Sequence, residues 1–144
     1  MATTTHYKTA FADRVETYQA AINSLFSGKP EDTEAELSKL FAPTFIQRDD
    51  ETSRDFPGFV KHIRWLREIL PMGSVNVRVT HFLREGNQIA ERHSGDPVTL
   101  PDGRVSWGET FMWVEIAEDG RIAWIVETVK KTITEARRKA KMLV

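Results

Sequence analysis

Glu127 is the residue whose setting best suits acid–base chemistry. It lies in a segment of strand-like alternation, where Ala123, Ile125 and Val129 share its face. We expect these neighbours to exclude water from the carboxylate, which raises the pKa of a carboxyl group toward the range useful for a general acid or base. The alternative is a structural ion pair, with Arg92 or with a residue across a subunit interface.

Asp49 is a second candidate base. It follows a short extended stretch and stands beside Asp50 and Glu51, so it is either a catalytic carboxylate or part of a solvated or helix-capping loop. If Asp49 and Glu127 lie close together, the pKa of one of them rises, which would hold a base ready near neutral pH.

Tyr18, His62 and His93 are the remaining polar candidates. Tyr18 belongs to the inward stripe of the first predicted helix and His62 to the stripe of the third, while His93 alternates with Glu91 on a predicted strand. Each is either a hydrogen-bonded core residue or a cavity residue that donates a hydrogen bond, orients a substrate or relays protons.

Two aromatic residues are predicted to contact a ligand. Phe59 lies in the same helical stripe as His62, and Trp113 is one of four tryptophans. Most of these tryptophans suit a core or an interface, but one or two facing a cavity would favour a flat, apolar ligand.

Several classes of function are disfavoured by what the chain lacks. It has no cysteine, its four histidines show no paired ligand spacing, and it contains no glycine-rich phosphate loop. We therefore expect no metal and no cofactor.

A formal charge of -1 from 20 basic and 21 acidic residues argues against nucleic acid as a partner. No long apolar run predicts a membrane span, and we expect a cytoplasmic protein.

The pattern of apolar residues predicts helices first and strands afterwards. One helix runs from Phe11 to Phe26, a short one starts at Asp32 or Thr33, and a third is capped by Asp55. Four strands follow, separated by Gly-, Asn- or Asp-containing turns that make neighbouring strands antiparallel. Their approximate ranges are Val75–Arg84, Gln88–Val98, Arg104–Ala117 and Arg121–Thr132.

The third of these strands is apolar on both faces. Trp107, Phe111 and Trp113 alternate with Met112 and Val114. Because helices cover only one face of such a sheet, we expect the other face to meet a second copy of the chain.

Short motifs along most of the chain resemble those of one superfamily. The order of three helices and a bent sheet resembles the NTF2-like, or cystatin-like, cone, and four segments look like ketosteroid isomerases and SnoaL-like polyketide cyclases. These segments are Val15-Glu16-Thr17-Tyr18, Leu40-Phe41-Ala42-Pro43, His93-Ser94-Gly95 and Glu118-Asp119-Gly120-Arg121-Ile122.

The resemblance implies an α+β fold. Three N-terminal helices would pack on a curved antiparallel sheet of four main strands plus a short extra strand. The domain would cover residues 8–132, and residues 133–144 would form a basic C-terminal helix or tail.

The resemblance also implies roles for particular residues. Tyr18 falls where ketosteroid isomerases place the tyrosine that stabilises the enolate, and Asp49 falls where they place the base. Glu127 falls at the catalytic aspartate of SnoaL-like cyclases and limonene epoxide hydrolases, and Arg92 at the arginine of the epoxide hydrolase triad. This chain departs from the triad at Ser94, where the second aspartate would stand.

The function implied is cofactor-free acid–base catalysis on a small apolar substrate, of the isomerase, cyclase or dehydratase type. The base would be Asp49 or Glu127, with Tyr18 stabilising negative charge. Two alternatives remain: a non-catalytic ligand-binding or dimeric assembly module of the same fold, and, disfavoured by Ser94, an epoxide hydrolase.

Overall fold

The computed structural model describes residues 6–134, in which three helices pack against one curved sheet. The helices are α1 (Val15–Ser27), α2 (Thr33–Leu40) and α3 (Phe56–Ile69), with a 3₁₀ turn (Pro30–Asp32) before α2. The cap of α3 is the predicted one, since the Asp55 carboxylate accepts a hydrogen bond from the N–H of Gly58 at 2.9 Å. Pro57 lies in the first turn, where a missing N–H leaves no bond unmade.

Helix α1 begins at Val15 rather than at Phe11. Ahead of it, the Thr9 hydroxyl accepts a hydrogen bond from the N–H of Phe11 at 3.1 Å and one from Ala12, which forms a local turn instead of helix. Phe11 is nevertheless buried in the core. Its apolar character therefore predicts burial correctly but not helix.

Seven strands form the sheet. They are β1 (Phe41–Arg48), β2 (Ser53–Asp55), β3 (Val77–Glu85), β4 (Gln88–Gly95), β5 (Val98–Thr99), β6 (Val105–Ile116) and β7 (Ile122–Thr134). The strand predicted as Gln88–Val98 divides into β4 and β5 around Asp96 and Pro97, because proline cannot donate to a strand ladder. Strand β7 continues two residues past the predicted boundary at 132. The predicted basic tail at residues 135–144 lies outside the described residues.

The sheet is mixed rather than purely antiparallel. Its order is β2-β1-β7-β6-β4-β3, with β5 paired to β6. The four long strands β3, β4, β6 and β7 are antiparallel neighbours as predicted, but β1 pairs with β7 in parallel. Turn residues in the sequence predict pairing only between strands that a short turn joins. Strands β1 and β7 are far apart in sequence, so no turn predicts their pairing. A register shift in β1 spans Pro43.

The two faces of the sheet differ in exposure. Along β6, the side chains of Met112, Val114 and Ile116 are buried beneath the helices, whereas Phe111 and Trp113 on the other face are 50% and 49% exposed. Both faces of this strand are thus apolar, as the alternation predicts. We call them the inner and outer faces.

Aromatic packing anchors α3 to the sheet. The rings of Phe41, Phe45 and Phe59 lie with their centroids 4.6–5.0 Å apart in tilted or edge contacts. Phe41 and Phe45 come from β1, so this cluster holds the start of α3 over one end of the inner face. It leaves space further along the face, between α1, α3 and the strands.

Candidate functional site

A cavity of about 150 Å³ lies between α1, α3 and the inner face of the sheet. Ten apolar side chains and four polar ones line it. Of the predicted residues, Phe59, His62, His93 and Glu127 are in the lining, and Gln47 joins them. A dry cavity of about this volume can hold a single six-membered ring. The cavity therefore suits a small ligand with one polar group.

Glu127 extends from β7 into this cavity. The amide nitrogen of Gln47 donates a hydrogen bond to its Oε1 atom. Burial raises the pKa of the Glu127 carboxyl above its usual value, although the Gln47 hydrogen bond and the charge of His93 oppose that rise. Glu127 is therefore a carboxyl group that keeps its proton to a higher pH than an exposed glutamate does.

A short chain of hydrogen bonds connects Glu127 to the surface. Arg54 Nη1 donates to Gln47 Oε1 at 3.1 Å and to Asp49 Oδ2 at 3.2 Å. An arginine can only donate, so the carbonyl end of the Gln47 amide must face Arg54 and its NH₂ group must face Glu127. The orientation of the group that contacts Glu127 is thus set from β2.

Asp49 does not line the cavity. Its Oδ1 atom accepts hydrogen bonds from the N–H groups of Thr52 at 2.8 Å and Glu51 at 3.2 Å in the turn between β1 and β2. Desolvation is the largest single influence on the pKa of Asp49 and raises it, but these N–H groups and Arg54 together hold the pKa below its usual value. These contacts match the loop and capping role considered from the sequence.

His93 has a buried partner on its own strand. Its Nδ1 atom lies 2.7 Å from Glu91 Oε1, and the Glu91 side chain is 0% exposed. Glu91 was not among the candidates chosen from the sequence. The available signal was its spacing, because residues i and i+2 of a strand project from the same face.

Tyr18 lies behind Glu91 and outside the cavity lining. Its ring packs against Phe82 at 5.2 Å, and its hydroxyl has no hydrogen-bond partner other than Glu91 among the described residues. Burial, and then the negative charge of Glu91, raise the pKa of Tyr18 well above its usual value. The Tyr18 hydroxyl therefore stays protonated. It can donate a hydrogen bond to a group in the protein interior but not to a ligand in the cavity.

Arg92 and Trp113 are on the outer face, away from the cavity. Arg92 donates to Glu109 Oε2 from its Nε atom at 3.0 Å, and its guanidinium lies 5.9 Å from the ring of Phe111. Ser94, two residues along β4, shares this outward parity. Successive residues of a strand point to opposite faces of the sheet. Glu91 and His93 therefore point to the inner face, and Arg92 and Ser94 point to the outer face.

His62 approaches the cavity from α3. Its ring stacks with that of Trp65 at a centroid distance of 6.0 Å. Burial, followed by the charge of Arg54, lowers the pKa of His62, so its ring is mainly neutral at pH 7. A neutral imidazole can donate one hydrogen bond and accept another, which suits the polar group of an uncharged ligand.

This arrangement supports acid–base chemistry. The half-buried carboxyl group of Glu127 and two histidines face one largely apolar space. Within residues 6–134, no three His, Cys, Asp or Glu side chains are arranged to hold a metal ion. No described helix has the length and apolar character needed to cross a membrane.

Comparisons with known proteins give matches in structure alone. No protein-family model matches the chain, and no curated protein matches it in sequence. A protein from Agrobacterium tumefaciens assigned as an isomerase of the SnoaL-like family superposes with a TM-score of 0.60 at 14% identity, over 81% of this chain and 97% of that one.

Two further solved structures share this architecture. An NTF2-like protein of unknown function from Exiguobacterium gives a TM-score of 0.62 at 12% identity, covering 77% of this chain and 96% of its own. An LEH-like epoxide hydrolase from M. tuberculosis gives a TM-score of 0.56 at 10% identity, covering 78% of this chain and 81% of its own. At such identities the likeness establishes the fold, while activity has to be argued from the site.

Proposed function

Because the chain has the NTF2-like fold found in SnoaL-like proteins, we propose that its cavity catalyses cofactor-free proton transfer on a small, largely apolar molecule. The reaction is an isomerisation, ring closure or dehydration. Glu127 exchanges a proton with the substrate, His62 and His93 face the substrate from the same cavity, and Phe59 packs against its apolar part.

One observation carries this proposal. Glu127 is a half-buried carboxyl group with a raised pKa, and it faces a largely apolar cavity rather than a paired cation. Arg54 is the nearest described cation in its hydrogen-bond chain, and Gln47 lies between the two. A residue with a purely structural role would be expected to pair directly with the charge that neutralises it.

The cavity supports a specific substrate class. Its volume suits one ring rather than the four of a steroid. Among residues 6–134, none that lines the cavity is a lysine or an arginine, so an anionic substrate would bury its charge there without a partner. The substrate is therefore a neutral, ring-sized molecule with a carbonyl or hydroxyl group.

Asp49 and Tyr18 act without touching the substrate in this proposal. Asp49 holds Arg54, which orients Gln47 against Glu127. Tyr18 supports the cavity from behind through Glu91. Both are positioning residues rather than catalytic ones.

Deuterium exchange tests the proposal without knowledge of the natural substrate. Cyclohexanone has one ring and one carbonyl group, and exchange of its α-protons in D₂O requires removal of a proton from carbon. We expect the protein to accelerate this exchange well beyond buffer of the same pH, as followed by NMR. A two-ring ketone should exchange at the buffer rate, since it exceeds the cavity.

The same experiment addresses the binding-module alternative. If cyclohexanone perturbs the NMR signals of cavity residues but exchanges no faster than in buffer, the cavity binds ligands without chemistry. Epoxide hydrolysis is not favoured, because Arg92 and Ser94 lie on the outer face, away from Glu127.

We also propose a homodimer formed through the outer face. Six exposed apolar side chains cluster there, on β1, β3, β6 and β7, and water would contact all of them in a monomer. They are Ile46, Leu83, Trp107, Phe111, Trp113 and Val126.

A charge placed in this patch should separate the subunits. We expect Trp113→Glu to convert a dimer to a monomer in sedimentation equilibrium, because the new carboxylate would be buried without a partner. Trp65→Glu is the matched control: Trp65 is 51% exposed but lies on α3, and this variant should remain dimeric. A monomeric wild-type protein, or a dimer that survives Trp113→Glu, would contradict the proposal.

A further inference from the structure

The pair formed by Glu91 and His93 has the geometry of an oriented base. Both residues project from the inner face of β4, and Glu91 Oε1 lies 2.7 Å from His93 Nδ1. Glu91 is buried completely, whereas His93 lines the cavity. The carboxylate therefore lies on the protein side of the imidazole, with the cavity on the other side.

This contact determines which ring nitrogen of His93 carries the proton. A buried ionised carboxylate can only accept hydrogen bonds, so the Nδ1 atom must be the donor. In the neutral ring, Nε2 is then left as an unprotonated acceptor that is free to face the cavity. Free imidazole side chains prefer the opposite arrangement, so Glu91 imposes a tautomer suited to accepting a proton.

The interior supplies Glu91 with a second donor. Glu91 Oε2 and the Tyr18 hydroxyl are both buried, with no hydrogen-bond partner other than each other among the described residues. The negative charge of Glu91 raises the pKa of the Tyr18 phenol, which stays protonated. The Tyr18 O–H group is therefore available to stabilise Glu91 in its ionised form, which is the form that orients His93.

Glu127 faces His93 from across the cavity. Glu91, Met112 and Glu127 form one row across β4, β6 and β7, and His93 lies in the next inward row. Two strand spacings place the backbones of β4 and β7 about 10 Å apart, which leaves room for substrate atoms between the two side chains. Since Gln47 donates to Glu127 Oε1, a proton on Glu127 must be on Oε2.

We propose that His93, oriented by the buried carboxylate of Glu91, is the catalytic base of the cavity, and that Glu127 is the opposing acid. This assignment rests on the proposed function and divides its chemistry between two groups. Paired groups in unlike environments commonly divide acid and base roles in this way.

The step is balanced in atoms and charge. A C–H bond next to the substrate carbonyl breaks, and its proton moves to His93 Nε2 while its electron pair forms a carbon–carbon double bond. The carbonyl oxygen receives the displaced π electrons and takes the proton from Glu127 Oε2. An enol, an imidazolium and a carboxylate result. In a substrate with a carbon–carbon double bond β,γ to the carbonyl, the imidazolium returns its proton to the γ-carbon while the enol O–H returns its proton to Glu127, which completes an isomerisation; return to the original carbon gives exchange alone.

Other titratable groups reach this cluster from neighbouring elements. Asp49 and Arg54 act on Glu127 from the turn after β1 and from β2, and His62 faces the same cavity from α3. Among the described residues, none of them makes a hydrogen bond or an ion pair with Glu91 or His93. Glu91 is thus the residue to change.

The tautomer of His93 can be measured without a substrate. Nitrogen-15 NMR of the full chain at alkaline pH distinguishes protonated from unprotonated ring nitrogens, and His93→Gln assigns the signals. We expect His93 to carry its proton on Nδ1. We expect Glu91→Gln to shift the population toward Nε2–H, because the amide can donate to Nδ1.

Glu109→Gln is the matched control. Glu109 is a strand carboxylate that pairs with Arg92 on the outer face, so this variant should leave the His93 tautomer unchanged. If wild-type His93 carries its proton on Nε2, or if Glu91→Gln leaves the tautomer unaltered in a protein with native melting behaviour, the inference is wrong.

Exchange kinetics separate this inference from the proposed function. With cyclohexanone, Glu91→Gln should lower kcat by about 10²-fold or more with little change in KM, since Glu91 acts on the base and not on binding. Glu91→Asp, which keeps the carboxylate, should recover part of the rate. If the wild-type protein accelerates cyclohexanone exchange but His93 carries its proton on Nε2, the Glu91–His93 inference is wrong and the proposed function stands. No exchange together with an Nδ1–H tautomer rejects the proposed function and leaves only the orientation of His93.

Discussion

Replacing Glu127 with glutamine should lower cyclohexanone exchange by about 10²–10⁴-fold, the usual contribution of a positioned acid or base. The variant keeps the size of the side chain and still offers a carbonyl oxygen to the Gln47 amide, so packing and ligand binding should change little. NMR titration with cyclohexanone measures binding separately from turnover. An undiminished rate in E127Q would remove Glu127 from the mechanism.

The pH dependence of the same variant provides an independent check. Folding raises the pKa of Glu127, so its stabilising contribution is complete below the unfolded pKa and is lost as pH rises through the folded pKa. The amide in E127Q does not titrate. We therefore expect E127Q to gain Tm relative to wild type as pH rises from about 4, the value of an unperturbed carboxyl group, through the raised pKa of Glu127.

The rate should follow the same ionisation. If Glu127 is the acid, exchange falls as pH rises through its raised pKa, because the carboxylate can no longer donate a proton. If Glu127 is instead the base, exchange rises over that range. The limb of the pH–rate profile that disappears in E127Q belongs to Glu127, so the direction of that limb distinguishes the two roles.

Replacing Arg67 with methionine should cost about 3–5 kcal/mol of unfolding free energy, since it removes one partner from a buried polar cluster. The Arg67 side chain is 0% exposed and links the end of α1 to the start of α2. It donates to the carbonyl oxygens of Ser24, Leu25 and Lys29, to the Thr33 hydroxyl and to the Glu36 carboxylate.

The location of these acceptors explains the size of the effect. Ser24 and Leu25 lie in the last turn of α1, where helix carbonyls have no partner within the helix. Methionine would leave the Leu25 carbonyl buried without the Arg67 donor and the Ser24 carbonyl with only the Ser27 hydroxyl at 3.4 Å, and lysine could replace only part of the five bonds. Urea unfolding should therefore rank the proteins in the order wild type, R67K, R67M.

Arg78→Met is the matched control for Arg67. Arg78 is 67% exposed and pairs with Asp96 at 3.5 Å on the surface, where such pairs contribute about 0–1 kcal/mol. A loss in R67M no larger than that in R78M would show that the Arg67 cluster does not hold the helices together.

Local sequence patterns were sufficient for most of the fold. The turns at Gly86 and Gly120, both at positive φ, mark hairpins that the sequence predicts, because glycine adopts this conformation without strain. Alternation along β6 predicts its two faces. The parallel pairing of β1 with β7 was not predictable in this way, since no local turn joins these strands.

The site was harder to predict than the fold. Glu127 and His93 line the cavity because both lie on the inner face, whereas Arg92 points outward although it is adjacent to His93 in sequence. Glu91 carries no distinctive motif, and its importance depends on a partner that only the three-dimensional structure identifies. Asp49 is close in sequence to the cavity residue Gln47, but its carboxylate accepts a hydrogen bond from the backbone of its own turn.

The hydrogen-bond chain from Asp49 through Arg54 and Gln47 to Glu127 has a consequence for variation among related chains. Its outer end lies in a surface turn that can accept substitutions without disturbing the packed interior. Substitutions at Asp49 or Arg54 would therefore change the pKa of the Glu127 carboxyl group from the protein surface. New reactivity could arise in this protein while every side chain that meets the ligand stays the same.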